Sequence, residues 1–272
     1  MFRSNGICFP KTFTSPDRLP QTGRWLAKPL RGAGGAGIHL VSESGRGRAK
    51  HVYFQQFIEG IPCSAVFAGL ESGASFLGAA RQLVGERWLN AGPFHYCGSV
   101  GPLQLEPSVK TTLEKVGSLV NRHFGLRGLF GVDFIMADRI PCPVEINPRY
   151  TASVEILEYA LGIRALSFHR SAFDKEGSVS HDPVSGQGIF GKAILFAKSA
   201  LEFPGEGPWN RSLTRPKSVE EMPDFADIPN VRQVIETRRP ILTFFSQSES
   251  VHGCLDKLKQ IARDLDHCLW KT

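Results

Sequence analysis

The most constraining feature of the sequence is a glycine-rich segment close to its start. Residues 28–38 read KPLRGAGGAGI, and four of the six residues at 32–37 are glycine. Glycine inside a strand or helix costs about 0.5–1 kcal/mol relative to alanine, so this cluster favours a loop that turns tightly or exposes its amides. Extended patterns flank it, RWLAKP before and GIHLV after. A hairpin loop between two strands is therefore predicted.

Two phosphate-binding motifs are excluded for this loop. Gly32, Gly34 and Gly37 satisfy G-x-G-x-x-G, but the dinucleotide fingerprint requires a helix to follow, and the sequence here continues with extended residues. A Walker A loop requires Lys and Ser or Thr after its last glycine, and these are absent. Two interpretations stay open: a flap whose amides and Lys28 bind a polyphosphate, or an ordinary tight hairpin beside a surface lysine.

The charge distribution supports an anion near this loop. Residues 1–60 contain nine Lys or Arg and three Asp or Glu, whereas the other 212 residues contain 23 of each. The net charge of +6 therefore lies in residues 1–60. The sequence contains no arginine-rich tract, so it does not predict nucleic-acid binding. The sequence contains no apolar run of about 18 residues, so no membrane span is predicted. The first residues lack the apolar core of a secretory signal.

The apolar periodicity predicts a mixed α+β chain whose strand-rich half comes first. Strands are predicted at 24–29, 37–41, 51–58, 62–70, 74–84, 128–137, 142–146, 188–197 and 241–245. Helices are predicted at 107–124, in two pieces over 152–174, and at 249–269. Residues 1–23, 42–50 and 85–106 are predicted to be irregular.

The six cysteines are widely scattered and form no Cys-x-x-Cys pair. In a chain of this length they are expected to be reduced and mostly buried, which is typical of a cytoplasmic protein.

Three oxygen-bearing side chains follow one another in GVDFIMADRIPCPVEINPRY, residues 131–150. Glu145 and Asn147 share one face of a strand, and a short turn before them places Asp133 opposite Glu145. Such a set suits Mg²⁺, which prefers oxygen ligands. The alternative is structural: Asp133 pairs with Arg127 or Arg149, and Asn147 begins a turn.

The segments KPLRGAGGAGI, YFQQFIEG, GVDFI and VEINPR occur in an order and spacing that resemble the ATP-grasp superfamily of ATP-dependent ligases, over about residues 20–160. NPRYTAS is also similar to the NPR-x-T-x-S stretch of carboxylate–amine ligases such as the tyramine–glutamate ligases. The resemblance implies an α+β ATP-grasp fold, in which two β-rich subdomains with packed helices hold ATP between them. It suggests an irregular lead-in at 1–23, a flap subdomain at 24–58, a core with the metal site at 59–200, and a C-terminal extension at 201–272 whose strand and helix pack on the core.

The resemblance also implies roles for individual residues. Lys28 and Arg149 are the expected catalytic residues, and Arg149 would lie beside the γ-phosphate and the acyl group. Asp133, Glu145 and Asn147 are the expected ligands of Mg²⁺ or Mn²⁺. The expected ATP-binding residues are Lys28, Arg31, Gly32, Gly34, Gly35, Gly37, Gln55, Gln56, Phe57 and Ile58. Arg81 is a weaker candidate for binding a substrate carboxylate, with a surface arginine as the alternative.

Three departures from the family pattern bear on activity. Pro62 stands where many members have an acid that binds ribose, and Gly131 stands where an arginine usually precedes the metal-binding Asp133. Only 27 residues precede Lys28, so the usual N-terminal domain and its second lysine are expected to be missing. The expected function is an ATP- and magnesium-dependent ligase that joins a carboxylate to an amine through an acyl phosphate. The alternatives are a non-catalytic ATP-binding module and a subunit whose partner chain supplies the missing parts.

Overall fold

The structure is a computed structural model that describes residues 1–42, 51–174, 188–218 and 221–270. Most of the basic stretch predicted as a loop at 42–50 lies outside these described residues. Within them the chain forms a small and a large antiparallel sheet with helices packed on the large one. The mixed α+β class is confirmed.

Four short strands of the described chain make the small sheet, in the order β1-β4-β2-β3. They are β1 (Thr12–Phe13), β2 (Trp25–Pro29), β3 (His39–Leu40) and β4 (Val52–Gln56). The glycine segment joins β2 to β3, which pair antiparallel, so the predicted hairpin is confirmed. The lead-in is not wholly irregular, because Thr12 and Phe13 pair with β4.

The remaining strands continue along the chain. They are β5 (Ile61–Leu70), β6 (Gly73–Val84), β7 (Tyr96–Gly101), β8 (Gly128–Ala137), β9 (Ile140–Asn147), β10 (Ile189–Phe196), β11 (Leu201–Glu202), β12 (Phe225–Ala226), β13 (Val234–Ile235) and β14 (Pro240–Ser248). Among the described residues eight of them form the large sheet, in the order β12-β14-β10-β7-β6-β5-β8-β9, and β11 pairs with β13. The prediction of a loop throughout 85–106 was wrong, since β7 lies in the middle of this sheet. Its Gly98 permits the pairing, because a Cβ there would lie 2.2 Å from the carbonyl oxygen of Lys192.

The helices are α1 (Pro107–Phe124), α2 (Ala152–Leu161), α3 (Ala165–Ser171), α4 (Asn210–Thr214) and α5 (Val251–Leu269). Helix α1 has the predicted bounds, with proline in its first turn and Gly125 in the left-handed conformation after its end. Its apolar residues Val109, Leu113, Val116 and Val120 are buried, whereas Phe124 is exposed. The described helices include none that is both long and apolar enough to cross a membrane.

The helices cover opposite faces of the large sheet. On one face α1 packs against Phe67, Phe130 and their neighbours, and α5 packs against the β10–β14 end. On the other face α2 and α3 pack against Val66, Ala68 and Leu129. Because side chains alternate along a strand, a residue next to one that faces α1 has its side chain on the α2 face. Asp133 lies between the α1-facing Val132 and Phe134, so it belongs to the α2 face.

The prediction that all six cysteines are reduced was wrong for two of them. Cys8 and Cys142 form a disulfide across 134 residues of chain, which ties the lead-in to β9. Cys63, Cys97 and Cys254 are free and buried, as expected, and Cys268 is free and partly exposed.

Candidate active site

The two sheets face each other across a cleft of about 700 Å³. Its walls come from β2, the glycine loop, β4 and the following linker on one side, and from β6, β8, β9 and the start of α2 on the other. Most residues expected to bind ATP line this cleft, namely Lys28, Gly32, Gly34, Gly35, Gln55, Gln56, Phe57 and Ile58. The expected metal ligands and Arg149 line it as well. The structure thus brings these sets together.

Three expected site residues do not line the cleft. Arg31 is exposed. Gly37 packs against Pro29, since a Cβ added to Gly37 would lie 2.9 Å from Cγ of Pro29. Arg81 lies on β6 between Ala80 and Gln82, and strand alternation turns it to the face opposite the cleft while Gln82 faces inward. The strand was predicted, but which of these two adjacent polar residues faces the cleft was not.

The glycine loop is folded onto the segment that precedes β7. Gly34, Gly35 and Gly37 have φ values of 61°, 82° and 78°, which disfavour other residues. The Tyr96 N–H donates to the carbonyl oxygen of Gly34 at 3.0 Å. A Cβ on Gly35 would lie 1.8 Å from the carbonyl oxygen of Phe94, so only glycine permits this approach. The loop therefore closes one end of the cleft.

Lys28 is a buried lysine, only 7% exposed, placed between the two sheets. Its Nζ donates to Oε1 of Gln55 at 3.2 Å and lies 3.7 Å from Oε2 of Glu145. Gln55 in turn donates from Nε2 to the carbonyl oxygen of Val144 at 3.1 Å. A buried ammonium is costly unless anions or acceptors surround it, so this position favours an anionic ligand in the cleft.

The linker after β4 lines the cleft, and two of its N–H groups are already paired. The Gln56 N–H donates to the carbonyl oxygen of Lys11, and the Phe57 N–H donates to that of Arg24, each at 2.8 Å. No hydrogen bond of the Ile58 N–H is found within the described residues.

The acidic pair lies on the floor of the cleft. Asp133 on β8 is directly opposite Glu145 on β9, as the sequence predicts, and Gly131 is opposite Asn147. Asp133 accepts hydrogen bonds from Nδ2 of Asn147 at 3.1 Å and from Nε2 of Gln82 at 3.0 Å. Burial raises the pKa of Asp133 to about 6, and the nearby charge of Glu145 acts in the same direction.

The structural alternative for Asp133 is not seen in the described residues. Arg127 donates to the carbonyl oxygen of Ala172 instead, and Arg149 donates from Nη2 to Oδ1 of Asn147 at 3.3 Å. The described residues hold no cluster of three or more His, Cys, Asp or Glu suited to a metal ion. A metal here would thus depend on two carboxylates and one amide, which is a fitting set for a hard cation that keeps several waters.

Several cleft residues were missed from the sequence. Gln82, Tyr96, Thr151 and Ser153 all line the cleft. The side chain of Thr151 lies beside Gly131, where a Cβ would be 2.6 Å from Thr151 Cγ2. The space that an arginine would need at position 131 is therefore filled. No local pattern marks these residues, because they meet only when β6, β7 and the start of α2 come together.

The comparisons agree with this architecture. The profile of the ATP-grasp domain matches residues 1–153, more than half of the sequence. The chain therefore belongs to the ATP-grasp family, a family of ATP-dependent ligases. It is 23% identical over 228 residues to an uncharacterized protein of Methanocaldococcus jannaschii, covering 82% of this chain and 50% of that protein. The chain thus spans half the length of this curated relative.

The fold is shared with solved ATP-grasp structures. L-amino acid ligase from Bacillus licheniformis superposes with a TM-score of 0.70 at 14% identity, covering 97% of this chain and 68% of that one. N5-carboxyaminoimidazole ribonucleotide synthetase from Thermus thermophilus gives a TM-score of 0.66 at 12% identity, with 97% and 69% covered. Carboxyaminoimidazole ribonucleotide synthase from Aspergillus clavatus, whose structure contains ATP, superposes with a TM-score of 0.68 at 11% identity. The match covers 98% of this chain and 71% of that one.

Proposed function

We propose that this protein is an ATP- and Mg²⁺-dependent ligase that joins a small-molecule carboxylate to an amine through an acyl phosphate. One observation carries the proposal: buried Lys28 lies 3.7 Å from Glu145, in one cleft with the glycine loop, Asp133 and Asn147. A buried cation, a closing loop and an oxygen-ligand set in one cleft are what phosphoryl transfer requires.

The nucleotide would lie along the cleft with its phosphates under the glycine loop. The amides of Gly32, Gly34 and Gly35 and the ammonium of Lys28 would donate to phosphate oxygens. The linker would hold adenine through the Gln56 carbonyl and the Ile58 N–H. The side chain of Pro62 cannot hydrogen-bond the ribose, so Gln82, which lines the same cleft, is a polar candidate for that contact.

Asp133, Glu145 and Asn147 would hold Mg²⁺, or Mn²⁺ in its place. When bound, the ion would supply positive charge to the phosphate oxygens and the transferring phosphoryl group. Asn147 would also keep Asp133 and Arg149 in place, because it hydrogen-bonds both.

The chemistry follows in two balanced steps. A substrate carboxylate oxygen attacks the γ-phosphorus, the bond to the bridging oxygen breaks, and ADP leaves as the acyl phosphate forms. The amine nitrogen then attacks the acyl carbon, phosphate leaves, and the extra proton of the amine is released. Arg149 would stabilise the developing oxyanion, and the contact of the glycine loop with residues 93–96 would keep water from the acyl phosphate. We also propose a cytoplasmic location, since ATP is supplied there; the Cys8–Cys142 disulfide, which is uncommon in that compartment, removes reduced cysteines as support for it.

The test is calorimetric titration of Mg-ATP into the wild type and the Lys28→Ala and Glu145→Ala variants. Loss of a charge-assisted contact is worth about 1.5–3 kcal/mol, so each variant is expected to weaken binding about 10- to 150-fold. Lys198→Ala is the matched control, because it removes a lysine of the Lys198–Asp266 ion pair away from the cleft. Failure of the wild type to bind Mg-ATP at millimolar concentration would contradict the proposal.

A second candidate, a non-catalytic or partner-dependent ATP-binding module, has one observation in its favour. Thr151 fills the space beside Gly131, so the arginine expected there has no counterpart at this point of the cleft. An ADP-release screen over acid–amine pairs separates the two. Binding of Mg-ATP without ADP release for any pair would favour the module.

A further inference from the structure

The disulfide lies where the chain first passes from the large sheet to the small one. Ile7 is buried in the apolar core between α1 and the large sheet, whereas β1 pairs with β4 of the small sheet. Residues 8–11 therefore connect the two sheets that form the walls of the cleft. Cys8 begins this connection, and its bond to Cys142 fixes it to β9.

Both ends of the connection are tied to the candidate ATP site. On β9, Cys142 is two residues before Val144, whose carbonyl oxygen accepts from Nε2 of Gln55 at 3.1 Å. At the other end, the carbonyl oxygen of Lys11 accepts from the Gln56 N–H at 2.8 Å. Gln56 belongs to the linker that lines the cleft. The disulfide thus restrains the segment that holds this linker in place.

The bond is open to thiol–disulfide exchange from one side. Cys8 is exposed, whereas Cys142 is only 2% exposed. A thiolate can therefore reach the Cys8 end of the bond. Disulfides of cytoplasmic proteins are usually transient and serve catalysis or redox sensing, so the proposed location favours a bond that exchanges.

We propose that the Cys8–Cys142 disulfide is a redox switch on the ATP site, with the oxidised protein binding Mg-ATP tightly and the reduced protein weakly. This rests on the proposed function, since it regulates the nucleotide cleft of that ligase. In the oxidised form, residues 8–11 are held where Lys11 pairs with Gln56, so the linker is pre-organised. After reduction, these residues must be ordered when the nucleotide binds, and that ordering opposes binding.

The switching reaction is an exchange with a dithiol. One thiolate of the dithiol attacks the Cys8 sulfur, the disulfide bond breaks, and Cys142 leaves as a thiolate that takes up a proton. The second sulfur of the dithiol then attacks its own first sulfur in the mixed disulfide and releases the Cys8 thiol. The dithiol gives up two electrons and two protons, and both cysteines end as thiols.

The experiment titrates Mg-ATP by calorimetry into the whole chain, oxidised and then reduced with dithiothreitol. Reduction is expected to raise the Kd about 5- to 30-fold, the equivalent of ordering one backbone residue on binding. Cys8→Ser should bind as weakly as the reduced wild type, with or without dithiothreitol. Cys268→Ser is the matched control, because it removes a free, partly exposed cysteine and keeps the disulfide, so it should respond as the wild type does.

Hydrogen exchange gives a second readout that needs no nucleotide. The Gln56 N–H, which donates to the carbonyl oxygen of Lys11, should exchange faster after reduction. The Val41 N–H donates to the carbonyl oxygen of Trp25 at 2.8 Å, beside β3 at the opposite edge of the small sheet. Its exchange rate should stay the same, which separates a local release of the lead-in from loosening of the whole sheet.

The inference is overturned if the reduced protein is folded and its Kd for Mg-ATP or its Gln56 exchange is unchanged. It is also overturned if the reduced chain no longer folds, because the disulfide would then serve stability alone. If the oxidised wild type binds no Mg-ATP, the proposed function itself fails and the inference fails with it, whereas an unchanged Kd on reduction contradicts only the inference.

Discussion

Gly35 offers the sharpest test of how the glycine loop works. Its φ is +82°, and an added Cβ would lie 1.8 Å from the carbonyl oxygen of Phe94. The obstacle is backbone, so it cannot rotate away as a flexible side chain would. Gly35→Ala must therefore move the loop off the segment before β7 and break the 3.0 Å hydrogen bond from Tyr96 N–H to the carbonyl of Gly34.

The cost has two parts. A left-handed conformation costs alanine about 1–2 kcal/mol, and loss of one backbone hydrogen bond costs about 0.5–1.5 kcal/mol net. Gly35→Ala is thus expected to lower the free energy of unfolding by about 1.5–3.5 kcal/mol. Because the displaced loop no longer presents its amides, the Kd for Mg-ATP should rise about tenfold or more, the equivalent of one charge-assisted hydrogen bond.

Gly125→Ala is the matched control. Gly125 has φ +61° at the end of α1, and an added Cβ would have nothing within 4 Å. Gly125→Ala should lower the free energy of unfolding by about 1–2 kcal/mol, because alanine disfavours the left-handed backbone, and it introduces no clash. Because Gly125 is far from the cleft, the Mg-ATP affinity of this variant should equal that of the wild type. Urea denaturation and calorimetry measure both quantities. Equal ATP affinity for Gly35→Ala and Gly125→Ala would refute the reasoning.

Three other predictions concern stability. The free energy of unfolding should fall by about 2–4 kcal/mol in Cys8→Ser, because the unfolded chain loses its cross-link; denaturation with and without reductant checks this, and reductant should not affect the variant. The second measurement is made in EDTA. The pKa of Asp133 in the folded state is about 6, above its ordinary value of 3.8, so ionisation of Asp133 opposes folding as pH rises. The wild type should thus lose about 2–3 kcal/mol between pH 4 and pH 7 relative to Asp133→Asn, and parallel pH profiles of the two would contradict this. Gly117→Ala should cost about 1–3 kcal/mol by overpacking, since its Cβ would lie 2.4 Å from the ring of Phe67; a melting temperature equal to that of the wild type would contradict it.

Local patterns determined a large part of this protein. The three- and four-residue period predicts the bounds of α1, and the glycine cluster predicts the β2–β3 hairpin. The short turn between β8 and β9 predicts that the strands carrying Asp133 and Glu145 pair, and a β-bulge between Asp133 and Phe134 sets the register that puts the two opposite each other. Each of these follows from neighbours along the chain, where the backbone period and the turn length leave few arrangements.

Tertiary structure decided what depends on distant strands. The sequence cannot show that Gln82 rather than Arg81 faces Asp133, since this is set by how β6 pairs with β5 and β7. Cys8 and Cys142 are 134 residues apart, and nothing local pairs them. Likewise, Lys192 meets Glu155 only because β10 pairs with β7 under α2. A strand's alternation is local, but which of its faces is buried, and against what, is a property of the assembled sheet.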